Sequence, residues 1–150
     1  MKKIIILLFA AFTVLSFSGC KKDSASGDQT DAKGTGKFVK DGTTYTSTCT
    51  ATANTSYPSN INVTLANAGF VNSLNLFNMP QQSSGTFSFS SNTSSSNLYA
   101  IMTLNNYAVT ATSKTGGTLT KTGSNSFNFS FQALDLSTNA TYTITGSGTY

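Results

Sequence analysis

The chain contains no histidine, arginine, glutamate or tryptophan in its 150 residues. Without histidine or glutamate, general acid–base chemistry in the folded part would have to rely on two carboxylates, Asp41 and Asp135. Each of them has an ordinary role in a turn. Metal sites need clusters of histidine, cysteine or carboxylate side chains, and the sequence has none. We therefore expect no catalytic residues, no metal and no cofactor.

Charge is also scarce, because only 9% of the residues are charged and the net charge is +4. Threonine, serine and asparagine together supply 61 residues, so solubility depends on hydroxyls and amides. A nucleic-acid interface needs a concentrated basic patch, which is not found among these few scattered charges. The charged residues beyond Gly36 are Lys37, Lys40, Asp41, Lys114, Lys121 and Asp135.

The N-terminus has the pattern of an export signal. Two lysines precede an apolar run over residues 4–17, and Ser18-Gly19-Cys20 follows. The run is too short for a transmembrane helix, which needs about 20 apolar residues. The end of the run resembles the lipobox of bacterial lipoproteins, in which the cysteine is lipidated and becomes the first mature residue. That resemblance implies a signal peptide over 1–19 and a lipid-anchored Cys20. It also implies a location in the cell envelope, and we expect the anchoring membrane to be the outer membrane. A plain secretory signal is the alternative.

The mature chain is long enough for one domain. The segment after Cys20 is polar, small and charged, which predicts a lipidated cysteine and flexible tether over 20–34 and a folded domain over 35–150. With Cys20 lipidated, Cys49 has no intramolecular disulfide partner. We expect Cys49 to be a small buried hydrophobe, with a reactive or intermolecular thiol as the alternative.

Apolar and polar residues alternate with a period of two through most of the mature chain, which is typical of strands with one buried face. Breaks at 54–60, 80–85, 91–97, 113–117 and 137–140 divide the chain into eight to ten short strands. This pattern predicts an all-β, antiparallel sandwich. The sandwich is favoured because strand lengths are uneven and the phenylalanines are concentrated on a few strands. A lipocalin-like up-and-down barrel is the alternative.

Two hairpins are predicted from their turns. Asp41-Gly42 supplies the positive φ angles of a tight turn and places Phe38 opposite Tyr45. Asn105-Asn106 predicts a second two-residue turn. Its register would join three apolar pairs on one face: Leu104 with Tyr107, Met102 with Val109, and Ala100 with Ala111.

Four segments, residues 38–45, 117–120, 127–131 and 143–150, resemble small Bacteroidota-type lipoprotein domains. The resemblance implies a β-sandwich-like fold and carries no known function. Lys21-Lys22-Asp23 also resembles the charged export tag of surface lipoproteins in that group, and Asp23-Ser24-Ala25 fits its O-glycosylation pattern. Periplasmic and surface exposure both stay open.

Tyr57, in a proline-containing loop, and Tyr99, on the less apolar face of its strand, are the candidate ligand-binding residues, because tyrosine rings can stack on sugars. The first hypothesis is a non-enzymatic module that binds a glycan or a protein. The second is a structural or assembly protein that pairs through sheet edges. Two less favoured functions are a hydrolase using a serine with Lys114 or Lys121, and ice binding through the threonine ladder at 44–52.

Overall fold

The computed structural model describes residues 32–105 and 111–150. Strand β1 begins at Ala32, three residues before the folded domain predicted over 35–150. No helix among the described residues is long and apolar enough to cross a membrane. The ten strands are β1 (Ala32–Lys40), β2 (Thr43–Ala53), β3 (Asn60–Ala66), β4 (Ser73–Pro80), β5 (Gly85–Ser88), β6 (Tyr99–Thr103), β7 (Ala111–Ser113), β8 (Thr118–Lys121), β9 (Ser126–Asp135) and β10 (Thr141–Thr149), with a 3-10 turn at Ala68–Phe70.

The sheet is antiparallel and closes on itself. Eight strands form the ring in the order β10-β1-β2-β3-β4-β6-β7-β9, and β9 pairs again with β10. Strands β7 and β8 pair one after the other along the same edge of β9, and β5 pairs with β8. The prediction of an all-β fold with eight to ten strands is confirmed. The strands form a closed eight-stranded antiparallel barrel with two extra strands, β5 and β8, which is closer to the barrel alternative than to the favoured sandwich.

Closure depends on glycines where the first and last strands meet. Gly36 lies opposite Gly148, and Phe38 lies opposite Gly146. A Cβ atom at Gly148 would be 2.7 Å from the Phe127 ring, because the phenylalanines of β9 fill the space that these glycines leave. The phenylalanines concentrated on β9 therefore form one wall of a barrel. They do not mark two facing sheets, as the sandwich prediction assumed.

Side chains fill the barrel interior, as expected for a ring of eight strands. Phe38, Val63, Leu74 and Ile144 are fully buried. Cys49 is a free thiol in this core, and burial raises its pKa to about 12. The prediction that Cys49 is a small buried hydrophobe is confirmed.

The Asp41-Gly42 hairpin is confirmed in detail. Phe38 lies opposite Tyr45, and their rings stack with centroids 4.9 Å apart. Asp41 and Gly42 have φ angles of 49° and 77°, the left-handed conformations that this tight turn requires.

The second hairpin exists with a different register. Met102 pairs with Ala111, so the predicted pairing of Ala100 with Ala111 is wrong by two residues. A shift of two keeps every side chain on its predicted face, and both Met102 and Ala111 are buried as expected. Tyr107 and Val109 lie outside the described residues.

Candidate functional site

Side chains of the described residues fill the barrel interior, and the clefts that these residues line lie on the outside of the barrel. Both candidate tyrosines line one cleft of about 270 Å³ on the outer surface of β3, β4 and β6, which we name the tyrosine cleft. The loops between β2 and β3 and between β5 and β6 complete it. Its lining residues are Asn54, Ser56, Tyr57, Asn62, Phe77, Asn78, Thr93, Ser94, Ser95 and Tyr99.

A β-bulge in β4 shapes the floor of the tyrosine cleft. Ile61 pairs with Met79 and Val63 pairs with Leu76, so two residues of β4 oppose one residue of β3. The second residue of the bulge is Asn78, whose φ of 57° suits asparagine better than most residues. The bulge keeps both Leu76 and Met79 in the core while the two residues between them line the cleft.

Three asparagines fix the cleft from below. The Asn54 Nδ2 group donates to Asn78 Oδ1 at 2.5 Å and to Asn62 Oδ1 at 3.3 Å. The Asn78 Nδ2 group donates to the carbonyls of Ser95, at 2.8 Å, and Asn97, at 3.1 Å. This network joins the β2–β3 loop, the bulge and the β5–β6 loop, so the cleft is preorganised rather than formed by independent loops.

Aromatic rings form the walls of the cleft. The Phe77 and Tyr99 rings stack with centroids 4.8 Å apart and an interplanar angle of 12°. Partial burial raises the pKa of the Tyr99 hydroxyl. The Tyr57 backbone N–H donates to Asn54 Oδ1 at 3.0 Å, while 36% of the residue stays exposed. A fixed backbone with an exposed ring is well suited to contact a ligand at little entropic cost.

None of the lining residues carries a charge. The cleft offers aromatic rings, hydroxyls and side-chain amides, which can stack on a ligand and exchange neutral hydrogen bonds with it. Sequence reasoning identified Tyr57 and Tyr99 but missed Phe77 and the three asparagines. The available signal was the apolar spacing of β4, where Leu74 and Leu76 are followed by Met79 instead of an apolar residue at 78.

A second cleft contains an exposed aromatic side chain. It has a volume of about 380 Å³ and lies outside β2 and β3, beside the 3-10 turn. Phe70 is 67% exposed and has a φ of 56°. We name this the phenylalanine cleft, and its lining residues are Lys33, Thr48, Thr50, Thr64, Ala66, Asn67, Ala68, Gly69 and Phe70.

Two other depressions lack an exposed aromatic platform. The larger, of about 510 Å³, lies over β1, β9 and β10 and is lined mostly by threonines, serines and glycines, with Phe127 buried in its wall. The other, of about 360 Å³, lies between the end of β4 and β5. The two clefts with exposed rings are therefore the stronger ligand sites.

The two carboxylates of the described residues have local partners. Asp41 forms an ion pair with Lys40 at the β1–β2 turn. Asp135 accepts hydrogen bonds from the Ser137 hydroxyl at 2.7 Å, the Ser137 N–H at 2.8 Å and the Thr138 N–H at 3.0 Å. These bonds lower its pKa to about 2. Both predicted turn roles are confirmed.

Lys121 occupies an unusual position for a lysine, because it lies on the buried face of β8 and is only 2% exposed. Its ammonium group donates to the Ser124 carbonyl at 2.8 Å and to the Tyr150 hydroxyl at 2.5 Å. Burial lowers its pKa. No group of three or more histidine, cysteine or acidic residues that could hold a metal occurs within residues 32–105 and 111–150.

Comparisons with protein-family models, with curated proteins and with solved structures find no match to this chain. The two clefts are therefore the features of the molecule that bear on its function. Cys20, the predicted lipidation residue, lies outside the described residues.

Proposed function

We propose that this chain is a non-enzymatic lipoprotein of the cell envelope that binds a glycan in the tyrosine cleft. One observation supports the proposal most strongly. Tyr57, Tyr99 and the ring of Phe77 line the same preorganised, uncharged cleft. These tyrosines come from segments more than forty positions apart, and the asparagine network holds them together.

The chemistry of the cleft suits a sugar better than a polypeptide. A pyranose ring has an apolar face that can stack on an aromatic ring and hydroxyls that pair with amides and serines. Stable protein interfaces have an apolar core that is fully buried by the partner. The tyrosine cleft is instead lined mainly by asparagine, serine and threonine.

The proposed location follows from the N-terminal segment. A signal peptide over 1–19 and a lipid on Cys20 would tether the barrel to a membrane, which we take to be the outer membrane. The segment resemblances to small Bacteroidota-type lipoproteins support this location and are consistent with surface or periplasmic exposure. More than one acyl chain on Cys20 would make the anchor stable.

The direct test is a glycan array probed with the mature chain carrying Cys20→Ala, followed by calorimetry on each glycan that binds. Tyr57→Ala should weaken binding about tenfold, which corresponds to the loss of one aromatic stacking contact of about 1.4 kcal/mol. The control is Leu136→Ala, because Leu136 is 55% exposed in the β9–β10 loop and should leave affinity unchanged. An array without bound glycans, or equal affinity for Tyr57→Ala and the parent chain, would contradict the proposal.

One observation favours the second candidate function, assembly through a sheet edge. Among the described strands, β5 pairs with β8 alone, so its other edge is available to an added strand. That edge is four residues long, and the closed ring leaves few others. Thr86→Pro should abolish self-association or co-assembly measured by analytical ultracentrifugation, and unchanged assembly would exclude this edge.

A further inference from the structure

The two clefts share one outer face of the barrel. Asn62 lines the tyrosine cleft and Thr64 lines the phenylalanine cleft, and they occupy successive outward positions of β3. Side chains two residues apart on a strand are separated by roughly 7 Å. The clefts are therefore adjacent along β3.

The residues between the two clefts are polar. Thr64 donates through its hydroxyl to Asn75 Oδ1 at 2.7 Å, and Asn75 precedes Phe77 by one outward position on β4. On the other side, Thr52 donates to the carbonyl of Asn62 at 3.4 Å. Hydroxyls and amides thus connect the Phe77–Tyr99 pair with Thr64, which lines the phenylalanine cleft.

Phe70 carries two unfavourable features at once. A φ of 56° is strained for a bulky side chain, and a ring that is 67% exposed contacts water with most of its apolar surface. The turn is held by hydrogen bonds that do not involve this ring: the Phe70 N–H donates to the Asn67 carbonyl at 3.0 Å, and the Asn72 N–H donates to Asn67 Oδ1 at 2.8 Å. Strained residues of this kind cluster at ligand sites.

We propose that the ligand is an uncharged oligosaccharide that extends from the tyrosine cleft to Phe70, which serves as a second stacking platform. This inference rests on the proposed function. It adds that the ligand is a chain rather than a single sugar. Lys33 is the only charged residue lining either cleft, and no carboxylate lines them, so a neutral chain meets no unpaired acid along its path.

The test uses the mature chain with Cys20→Ala and three ladders of neutral oligosaccharides, from disaccharide to hexasaccharide: cello-oligosaccharides, malto-oligosaccharides and α-linked manno-oligosaccharides. Affinity for at least one ladder should rise with length and then level off. Phe70→Ala should weaken binding of the longest oligosaccharide about tenfold and leave the affinity for the disaccharide unchanged. Tyr57→Ala should weaken binding at every length. Because the ligand is uncharged, added salt should change these affinities little.

Two further variants make the result specific. Phe70→Gly removes the ring and suits the positive φ, so it should behave like Phe70→Ala while leaving the fold intact. Leu136→Ala should match the parent chain at every length. Affinity that does not depend on length, with Tyr57→Ala still impaired, would overturn the extended ligand and leave the tyrosine cleft as a glycan site. An array without bound glycans would reject both proposals, and peptide binding lost in Phe70→Ala would assign the phenylalanine cleft to a protein instead.

Discussion

Met102 shows that alternation along a strand can predict the burial of a single residue. Its side chain is 1% exposed in the core, as the pattern of β6 predicts. Met102→Ala should lower the free energy of unfolding by about 2–5 kcal/mol, because the surrounding core cannot fully collapse into the cavity. Urea denaturation of the variant and of Thr103→Ala, its outward neighbour, would measure this. A loss below about 1 kcal/mol for Met102→Ala would contradict the burial on which the prediction rests.

Asp135 should give the barrel a distinct acid sensitivity. Its hydrogen bonds from Ser137 and Thr138 lower its folded-state pKa to about 2, below the ordinary value of an aspartate. A depressed carboxylate pKa stabilises the fold above about pH 4, and this contribution is lost as the pH falls toward about 2. Asp135→Asn should therefore flatten the dependence of the unfolding free energy on pH within that window. Parallel curves for the parent chain and Asp135→Asn in urea titrations between those pH values would refute the assignment.

Lys121 is a residue whose burial the sequence does not predict. Residues 118–121 alternate, which places Leu119 and Lys121 on the same face of β8, and that face is buried. The sequence marks Lys121 only as one of the scattered charges, because lysines are rarely buried without a carboxylate. Its burial depends on Ser124 and Tyr150, and Tyr150 comes close only because the barrel brings the last strand beside β9. Contacts of that range are not visible in a local pattern.

Strand β10 should tolerate few substitutions at its glycines, because these lie against neighbouring side chains. A Cβ at Gly148 would be 2.7 Å from the Phe127 ring and 3.1 Å from the Cys49 sulfur. Gly148→Ala should therefore destabilise the barrel by about 1–3 kcal/mol through overpacking. Thr145→Ala, an exposed position of the same strand, should be close to neutral.

A double-mutant cycle distinguishes overpacking from a general weakening of β10. Phe127→Leu replaces the ring that the new methyl group would meet with a shorter side chain. Gly148→Ala should therefore lower the free energy of unfolding less in the Phe127→Leu background than in the parent chain. Thermal unfolding of the four proteins would supply the coupling energy. Strictly additive losses would mean that the methyl is accommodated elsewhere.

The two hairpins show why some turns can be read from sequence and others cannot. Asp41-Gly42 has one favoured two-residue geometry, so its turn type also sets the register between Phe38 and Tyr45. Asn105-Asn106 is compatible with longer loops, and Asn105 does have a φ of 55°. Alternation alone cannot detect a shift of two residues, because such a shift leaves the buried face unchanged.

At the scale of the molecule, the sequence predicts the number and class of strands but not their closure. A sandwich and a barrel share the same alternation, and they differ in whether the first and last strands pair. That pairing, Gly36 with Gly148, joins residues at opposite ends of the domain. Glycines on the inward positions of β10, facing the rings of Phe127 and Phe129 on β9, were the available sign of one tightly coiled wall. The tyrosine cleft depends on the β4 bulge and on loops that meet only in the folded barrel, so the sequence predicts its two tyrosines and offers only the spacing of β4 as a sign of the rest.

The last prediction concerns how the whole molecule is attached to its membrane. The apolar run over residues 4–17, followed by Ser18-Gly19-Cys20, predicts that Cys20 is the lipidated first residue of the mature chain. Cys20→Ala should move the protein from the membrane fraction to the soluble fraction, because the anchor depends on the buried acyl chains and not on the barrel. Cys49→Ala is the matched control, since it removes the other cysteine from a buried site and should leave the protein in the membrane fraction. Mass spectrometry of the native mature protein should show an N-terminal Cys20 carrying acyl groups. An unmodified Cys20, or a Cys20→Ala protein that stays with the membrane after a high-salt wash, would refute lipid anchoring.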